Sequence, residues 1–309
     1  MSASPAAIGS NTRRRFDPFL SAYTQAFADE HNRRVVVGAE IMKSKTIVFA
    51  GLARNCGVSL SYNLQRIREF GENCKGWKAL VFENDSTDDT KIIANEAAKS
   101  HDNITAMTHD FGRAHRPGEF AGPRTIELAE YRAGCQSWIA KNCADFDYVA
   151  IIDWDMWGGW FAAESAFSFL EECAGAYGVA SLSLLEMDAN IYNMEKSCVQ
   201  RQPMMIHYDQ WALRLNSYWD DYSNGMGSWK ASWFPPVGSD PVKVCSAFGG
   251  LCVYRTQDYL RGKYSGEDCE HVPFHKSIAE TTGRALYLNP SMRTIMEWTA
   301  DDQVHADPD

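Results

Sequence analysis

Apolar residues enter this chain in short dense bursts separated by amphipathic stretches, and the alternation starts abruptly near residue 45. "KTIVFAGL" is rich in β-branched residues and closes on "ARNCG", which predicts a buried strand followed by a glycine-bearing loop. "VSLSYNLQRIREFGENC" sets Leu60, Leu64, Ile67 and Phe70 at helical spacing. "WKALVFEND" reads as a second strand. "STDDTKIIANEAAKS" opens with the hydroxyl and acidic residues that suit a helix N-cap and first turn. "NITAMTHD" is a third strand, "FGRAHRPGEFAGP" a long glycine- and proline-bearing loop, "RTIELAEYRAGCQSWIAKNC" a long helix and "DYVAIIDWDMW" a fourth strand. Strands alternating with helices predict an α/β fold with a doubly wound, mostly parallel sheet.

Outside residues 45–160 the rhythm is weaker. Residues 1–44 read as a tail plus a short amphipathic helix near "FLSAYTQAFADEH". Residues 161–298 form a less regular second half of the same domain. It holds a helix in "ESAFSFLEECAGAYG", a strand in "GVASLSLLEM", a strand or hairpin in "VCSAFGGLCVYR", a helix in "HVPFHKSIAETTG" and a strand in "RALYLNPSM". Between them, residues 191–236 are aromatic and full of turn formers, and read as loops and short elements. Residues 299–309 are a polar tail.

Composition narrows the function classes. A chain of 309 residues with 45% hydrophobic content can bury a sizeable core. The formal net charge of −10 excludes a general affinity for nucleic acid or acidic membrane, and the run Arg13–Arg15 is too short to change that. No stretch approaches the ~20 apolar residues of a membrane span. The N-terminus lacks the apolar segment of a secretory signal. The expected place is the cytosol or the cytosolic face of a membrane; a chain stripped of an anchor would read the same and belong to a lumen. Nine cysteines without a CxxC pair point to reduced thiols rather than a zinc knuckle, with one disulfide left open between Cys245 and Cys252.

In a doubly wound sheet the ligand lies beyond the carboxyl ends of the strands. Three polar clusters fall there: Arg54–Asn55, the run from Glu83 to Asp89, and Asp153 with Asp155 in "IIDWDMWGGW". Two carboxylates at the end of a buried strand suit Mg²⁺ or Mn²⁺, which take one or two carboxylates and complete their shell with substrate phosphates. Glu83 and Asp85 can accept hydrogen bonds from a ribose or a base. Capping accounts for Ser86 to Asp88.

Strand-"ENDSTDDT"-helix, followed about seventy residues later by strand-"DWD", resembles the nucleotide-sugar half of GT-A glycosyltransferases. It is similar to the large inverting family whose first acidic motif reads D-D-G-S-T-D. It is also similar to the fungal capsule mannosyltransferase group, which carries acidic-Asn-x-Ser runs and an "LAxxRN"-like helix. Here that helix reads "IELAEYRAG", with Arg132 at the arginine position and Ala133 where Asn would follow. The resemblance covers residues 45–160 and, more loosely, 242–290.

The resemblance implies a metal-dependent transferase that moves a hexosyl group from a nucleotide-diphosphate sugar to a carbohydrate or glycoconjugate acceptor. It implies that Asp155 holds Mn²⁺ or Mg²⁺ at the diphosphate, with Asp153 on the ion or the ribose. Glu83 and Asp85 are then expected near base and ribose, and Arg54 and Arg132 at base or phosphates. In "YSGEDCEHVPFH", Asp268 is the expected base, Glu267 the second choice, and His271 and then His275 the expected late metal ligands. Gly249 and Gly250 mark a close approach, of a sugar or of another strand. Trp157 and Trp160 are expected to stack on the acceptor, with Gly158 and Gly159 leaving room for the donor sugar.

Two other readings stand beside this one. A sugar-phosphate nucleotidyltransferase would show a basic glycine-rich loop after the first strand, and "GLARNCGVS" has no lysine. A non-catalytic glycan-binding module would not need the intact DxD. Inversion and retention of configuration both stay open.

Overall fold

The computed structural model describes residues 16–116, 119–120, 122–194, 196–218 and 228–296; Arg13–Arg15, part of the aromatic segment 191–236 and the tail 299–309 lie outside them. The described residues carry ten strands in one sheet: β1 Thr46–Ala53, β2 Gly76–Asn84, β3 Ile104–His109, β4 Tyr148–Ile152, β5 Gly159–Phe161, β6 Ala176–Asn193, β7 Cys198–His207, β8 Val242–Val244, β9 Leu251–Arg255 and β10 Ala285–Ile295. Besides helical residues at 16–20 and a 3-10 turn at Ser228–Ser232, the helices are α1 Gln25–Met42, α2 Gly57–Gly71, α3 Thr90–Ser100, α4 Pro123–Asn142, α5 Glu164–Glu172, α6 Thr256–Tyr259 and α7 His271–Thr282.

The strand order is β3-β2-β1-β4-β9-β6-β10-β5, with β7 on β6 and β8 on β10. Strands β1 to β4, β6 and β10 run one way; β5, β7, β8 and β9 run against them. The sheet is continuous across residue 160, because β4 of the first half pairs with β9 of the second. Side-chain alternation along β1 shows why both faces need helices. Val48 and Ala50 join one core with Tyr131, Cys135 and Ile139 of α4 and Phe274 and Ile278 of α7. Ile47 and Phe49 join the other with Leu60, Leu64 and Ile67 of α2, Ala94 of α3, Met42 of α1 and Phe167 of α5. The winding reverses between β1 and β4, so the crevice of the switch point opens between Ala53 and Ile152.

Three expectations change. The short N-terminal helix is an 18-residue element, capped by Thr24, and it continues through "RRVVVGAEIM". The stretch from Ile191 onward begins inside a long antiparallel hairpin, in which β6 pairs with β7 from Leu184–His207 to Asn193–Cys198. The outer part of that hairpin is exposed on both faces, so its sequence lacks the in–out alternation that marks a half-buried strand. All nine cysteines are free, and no bond joins Cys245 to Cys252.

Candidate active site

The DxD segment leaves β4 and is clamped by backbone contacts from three elements. Asp153 N–H donates to the Gly250 carbonyl at 2.9 Å, and Gly158 N–H to the Ile295 carbonyl at 3.0 Å. The fully buried Asn63 of α2 donates from Nδ2 to the carbonyls of Trp154 (2.9 Å) and Met156 (2.8 Å). Arg66, one turn on, donates to the Trp157 carbonyl at 3.2 Å. Trp154 is fully buried beneath the loop, so the two carboxylates turn toward the crevice.

They do not share one environment. Asp153 accepts from Arg132 Nη2 at 2.9 Å. Arg132 is 4% exposed, its guanidinium lies 5.1 Å from the Phe248 ring, and its Nε is 3.5 Å from Glu270 Oε1. Burial works against the Arg132 charge, but Asp153 and Glu270 outweigh it and hold the guanidinium protonated. Asp155 has no such partner and reaches solvent. Protein hems in its inner side, and that loss of hydration, with the Asp153 carboxylate nearby, pushes its carboxyl up; its open side limits the displacement.

Glu270 lies 3.3 Å from His271 Nε2, which extends the chain from Asp153 through Arg132 to the imidazole. His271 is 3% exposed, stacks on Phe248 at 4.0 Å, and has no hydrogen-bond partner on either ring nitrogen. Burial, Arg132 and His275 push it well below the ordinary histidine range, so it is a neutral imidazole with unused lone-pair capacity.

Several expected site residues serve other ends. His275 bridges the core: Nδ1 pairs with Ser246 Oγ at 2.9 Å and Nε2 with Tyr254 OH at 2.8 Å, leaving neither nitrogen for a metal. Asp268 receives two hydrogen bonds from the buried Arg214 Nη2, at 3.1 and 2.9 Å, and one from Cys269 N–H, so both oxygens are engaged. Glu267 is exposed at the surface. Gly249 and Gly250 are left-handed, with φ of 66° and 74°. A Cβ on Gly249 would stand 2.1 Å from the Ser181 carbonyl oxygen, so the close approach is to β6 and not to a sugar. Gly158 similarly abuts Ile295, and Gly159 abuts Arg66. Trp160 lies in β5 and packs edge-on to Phe70 at 6.3 Å, a core contact rather than an acceptor platform. Trp157 is half-buried, with its carbonyl held by Arg66.

At the ends of β1 and β2 the residues organise loops. Glu83 is buried; Oε1 accepts from Ser86 N–H at 2.9 Å and Oε2 has no partner. Asp85, at φ 52°, accepts from Gly112 N–H at 2.7 Å. Burial opposes its charge, but Asn84 and the Gly112 and Arg113 N–H groups hold its carboxyl below the usual range. Arg54 donates to the carbonyls of Arg113 (2.6 Å) and Ala114 (3.3 Å), tying the long loop to the switch point. Asp88 accepts from Gly57 N–H and Thr90 N–H, both at 3.0 Å, and so serves the N-termini of α2 and α3 together.

Two contributors escaped the motifs. Arg124, in the first turn of α4, stacks 5.0 Å over Trp211, and its charge partly offsets the rise that burial imposes on the carboxyls of Asp155 and Glu270. Asp209, just after β7, accepts from Gly249 N–H at 2.7 Å. Both depend on contacts between distant segments, and local sequence carries no sign of them.

Among the described residues, no three His, Cys, Asp or Glu side chains converge as a preformed cation site. The expected set Asp153, Asp155, His271 and His275 is therefore not a resident metal cage. What remains is one open carboxylate, a second one shared with Arg132, and a neutral buried imidazole.

A scan against protein-family models and a search of curated proteins give no match for this sequence. Among solved structures, the chain is similar to a mannosyltransferase from Pyrobaculum calidifontis in complex with GDP-Man and Mn²⁺ (12% identity, TM-score 0.43, 87% of this chain and 65% of that one). It is similar to GalNAc-T7 with UDP, GalNAc and Mn²⁺ (11%, 0.47, 96% and 54%). It is also similar to glucosyl-3-phosphoglycerate synthase from Mycobacterium tuberculosis with Mn²⁺, UDP and glucosyl-3-phosphoglycerate (11%, 0.43, 88% and 79%). The chain thus spans less than two thirds of the first two proteins' own lengths. Every score is below 0.5, too low to carry chemistry from those proteins to this chain.

Proposed function

We propose that this chain is a GT-A-type glycosyltransferase that uses a nucleotide-diphosphate sugar, a divalent cation and a carbohydrate or glycoconjugate acceptor. The observation that carries the reading is the unpartnered Asp155 carboxylate at the switch point, where the charges of both Arg132 and Arg124 act on it. An open carboxylate within reach of two guanidiniums suits a ligand that brings both a cation and a diphosphate.

The donor set fits Mn²⁺ or Mg²⁺ that arrives with its diphosphate. Asp155 would hold the ion, Asp153 would be a second contact, and one ring nitrogen of the neutral His271 would be the nitrogen ligand. When bound, the ion neutralises charge that grows on the departing diphosphate. Arg132 keeps Asp153 oriented and adds positive charge from a buried position, where its field is less screened. Arg124 extends that field to the mouth of the crevice. Glu83 and Asp85 shape the turn on which base and ribose would rest. Trp211, beneath Arg124, would be a better acceptor platform than Trp160, whose ring is packed on Phe70.

The test is thermal stabilisation by a panel of nucleoside diphosphates with and without Mn²⁺, followed by donor hydrolysis. The preferred diphosphate raises the melting temperature only with the ion present. Asp155→Ala abolishes both the shift and the release of free sugar. No ion-dependent shift with any diphosphate, and no turnover, would sink the reading.

A further inference from the structure

One carboxylate of the crevice belongs to no recognised motif. Asp209 sits where β7 turns back over the sheet. Its Oδ2 accepts from Gly249 N–H at 2.7 Å, its Oδ1 from Ala212 N–H at 3.3 Å, and its own N–H donates to Ser183 Oγ at 3.0 Å. The next residue in the turn, Gly250, accepts from Asp153 N–H at 2.9 Å. Asp209 and Asp153 are thus fixed by adjacent residues of a single glycine turn. The charged and titratable groups that face Asp209 are Asp153, Glu270, the Tyr208 hydroxyl and the Cys269 thiol.

Resting on the glycosyltransferase reading, we propose that Asp209 is the base that takes the proton of the acceptor hydroxyl, and that the transfer inverts the anomeric centre. The acceptor O–H proton passes to the Asp209 carboxylate. The acceptor oxygen forms its bond to the anomeric carbon from the face opposite the leaving group. The bond from that carbon to the diphosphate oxygen breaks, and its electron pair leaves with the diphosphate.

Asp155 is assigned to the cation, and three other carboxylates of this region are engaged. Asp268 is tied by Arg214 and Cys269 N–H, Asp153 is tied by Arg132, and Glu270 lies 3% exposed between Arg132 and His271. Asp209 is held by backbone N–H groups alone in the hydrogen bonds it accepts, and each carboxylate oxygen keeps a further lone pair for a substrate proton. It is half-buried. The hydration it loses there pushes its carboxyl up, toward the form that favours holding a proton.

The experiment uses the full chain with Mn²⁺ and the nucleotide sugar whose diphosphate stabilises the wild type best. Asp209→Asn should bind the Mn²⁺–diphosphate pair within twofold of wild type, yet turn over the donor about 10²-fold or more slowly. The acid limb of kcat/KM should vanish in its residual activity, and Asp209→Glu should recover part of the rate. Proton NMR of the first-formed sugar, before mutarotation, should show the inverted anomer. A purely structural role would lower the melting temperature and the diphosphate affinity while leaving the acid limb in place, and that outcome overturns the proposal. So does a retained anomer, or Asp209→Asn turnover within threefold of wild type. If wild type itself binds no diphosphate with Mn²⁺, the glycosyltransferase reading falls first and the assignment falls with it.

Discussion

At the scale of single residues, position in the sheet decided which side chains could be recognised from sequence. Asp153 and Asp155 follow five consecutive buried residues, Tyr148 to Ile152, so their place at a strand mouth was legible. Asp268 looked like a catalytic carboxylate because it stands in an acidic run, but Arg214, 54 residues earlier, claims both its oxygens. That partner is invisible to local pattern. Asp268→Asn leaves the buried Arg214 guanidinium facing a neutral amide, and breaking a buried ion pair from one side is costly. Asp268 is itself 30% exposed, so a loss of about 3 kcal/mol is expected, at the low end of that class. Urea unfolding monitored by tryptophan fluorescence reads it directly. A change under about 0.5 kcal/mol would show that the pair is no anchor.

At the scale of elements, helix α2 was predicted from its apolar spacing, yet its polar face matters more to the site. Asn63 occupies a helix position between Leu60 and Leu64, where pattern reading expects nothing but packing. Its amide instead holds two carbonyls of the DxD loop, across more than ninety residues of chain. Asn63→Leu strands both carbonyls without hydrogen bonds, which costs about 1–3 kcal/mol. It also frees the loop that aims Asp155, and loss of such support weakens metal binding by about 10–100-fold. Titration of Mn²⁺ in the presence of the preferred diphosphate measures the second effect; unchanged affinity would mean the loop holds itself. The loop of β2 gives a companion test. Asp88→Ala removes the carboxylate that serves two helix N-termini, so about 1–2 kcal/mol of stability should go, where a single cap is worth about 1. Here the sequence reading was close, since capping was expected from Ser86 to Asp88. What it missed was that Asp88 caps the preceding helix as well as its own.

At the scale of the whole molecule, the strand–helix alternation of residues 45–160 made the parallel core legible, while the β6–β7 hairpin escaped because its outer half buries neither face. The same long-range packing that hid the site also sets how the protein answers acid. His207 and His275 are pushed down to about 3 by burial, and His271 well below its ordinary range. Histidines depressed in the folded state contribute stability that is full above the unfolded value, about 6.5, and is lost as pH falls toward the folded values. Alone, three such groups would cost up to about 4 kcal/mol per pH unit below 6. Burial works in the opposite direction on acids. Asp209 is raised to about 6, and Asp155, Glu164 and Glu270 are raised too. Raised carboxyls contribute stability that is full below the unfolded value, about 4, and is lost as pH climbs through the folded values. As pH falls below about 6.5 the unfolded chain takes up protons on its histidines while the folded protein takes them up on its raised carboxyls, so the second slope opposes the first. Below about 4 the unfolded carboxyls protonate as well, the compensation ends, and the histidine penalty stands uncovered. The depressed Asp85 and Asp88 add to the loss there. Urea unfolding from pH 7 to 3.5 should thus give a shallow limb and then a steep fall, and a steady decline beginning at pH 6 would contradict it. His275→Gln removes one of these protons, so its acid limb should be shallower by about 1.4 kcal/mol per pH unit, whatever the substitution does to stability at neutral pH.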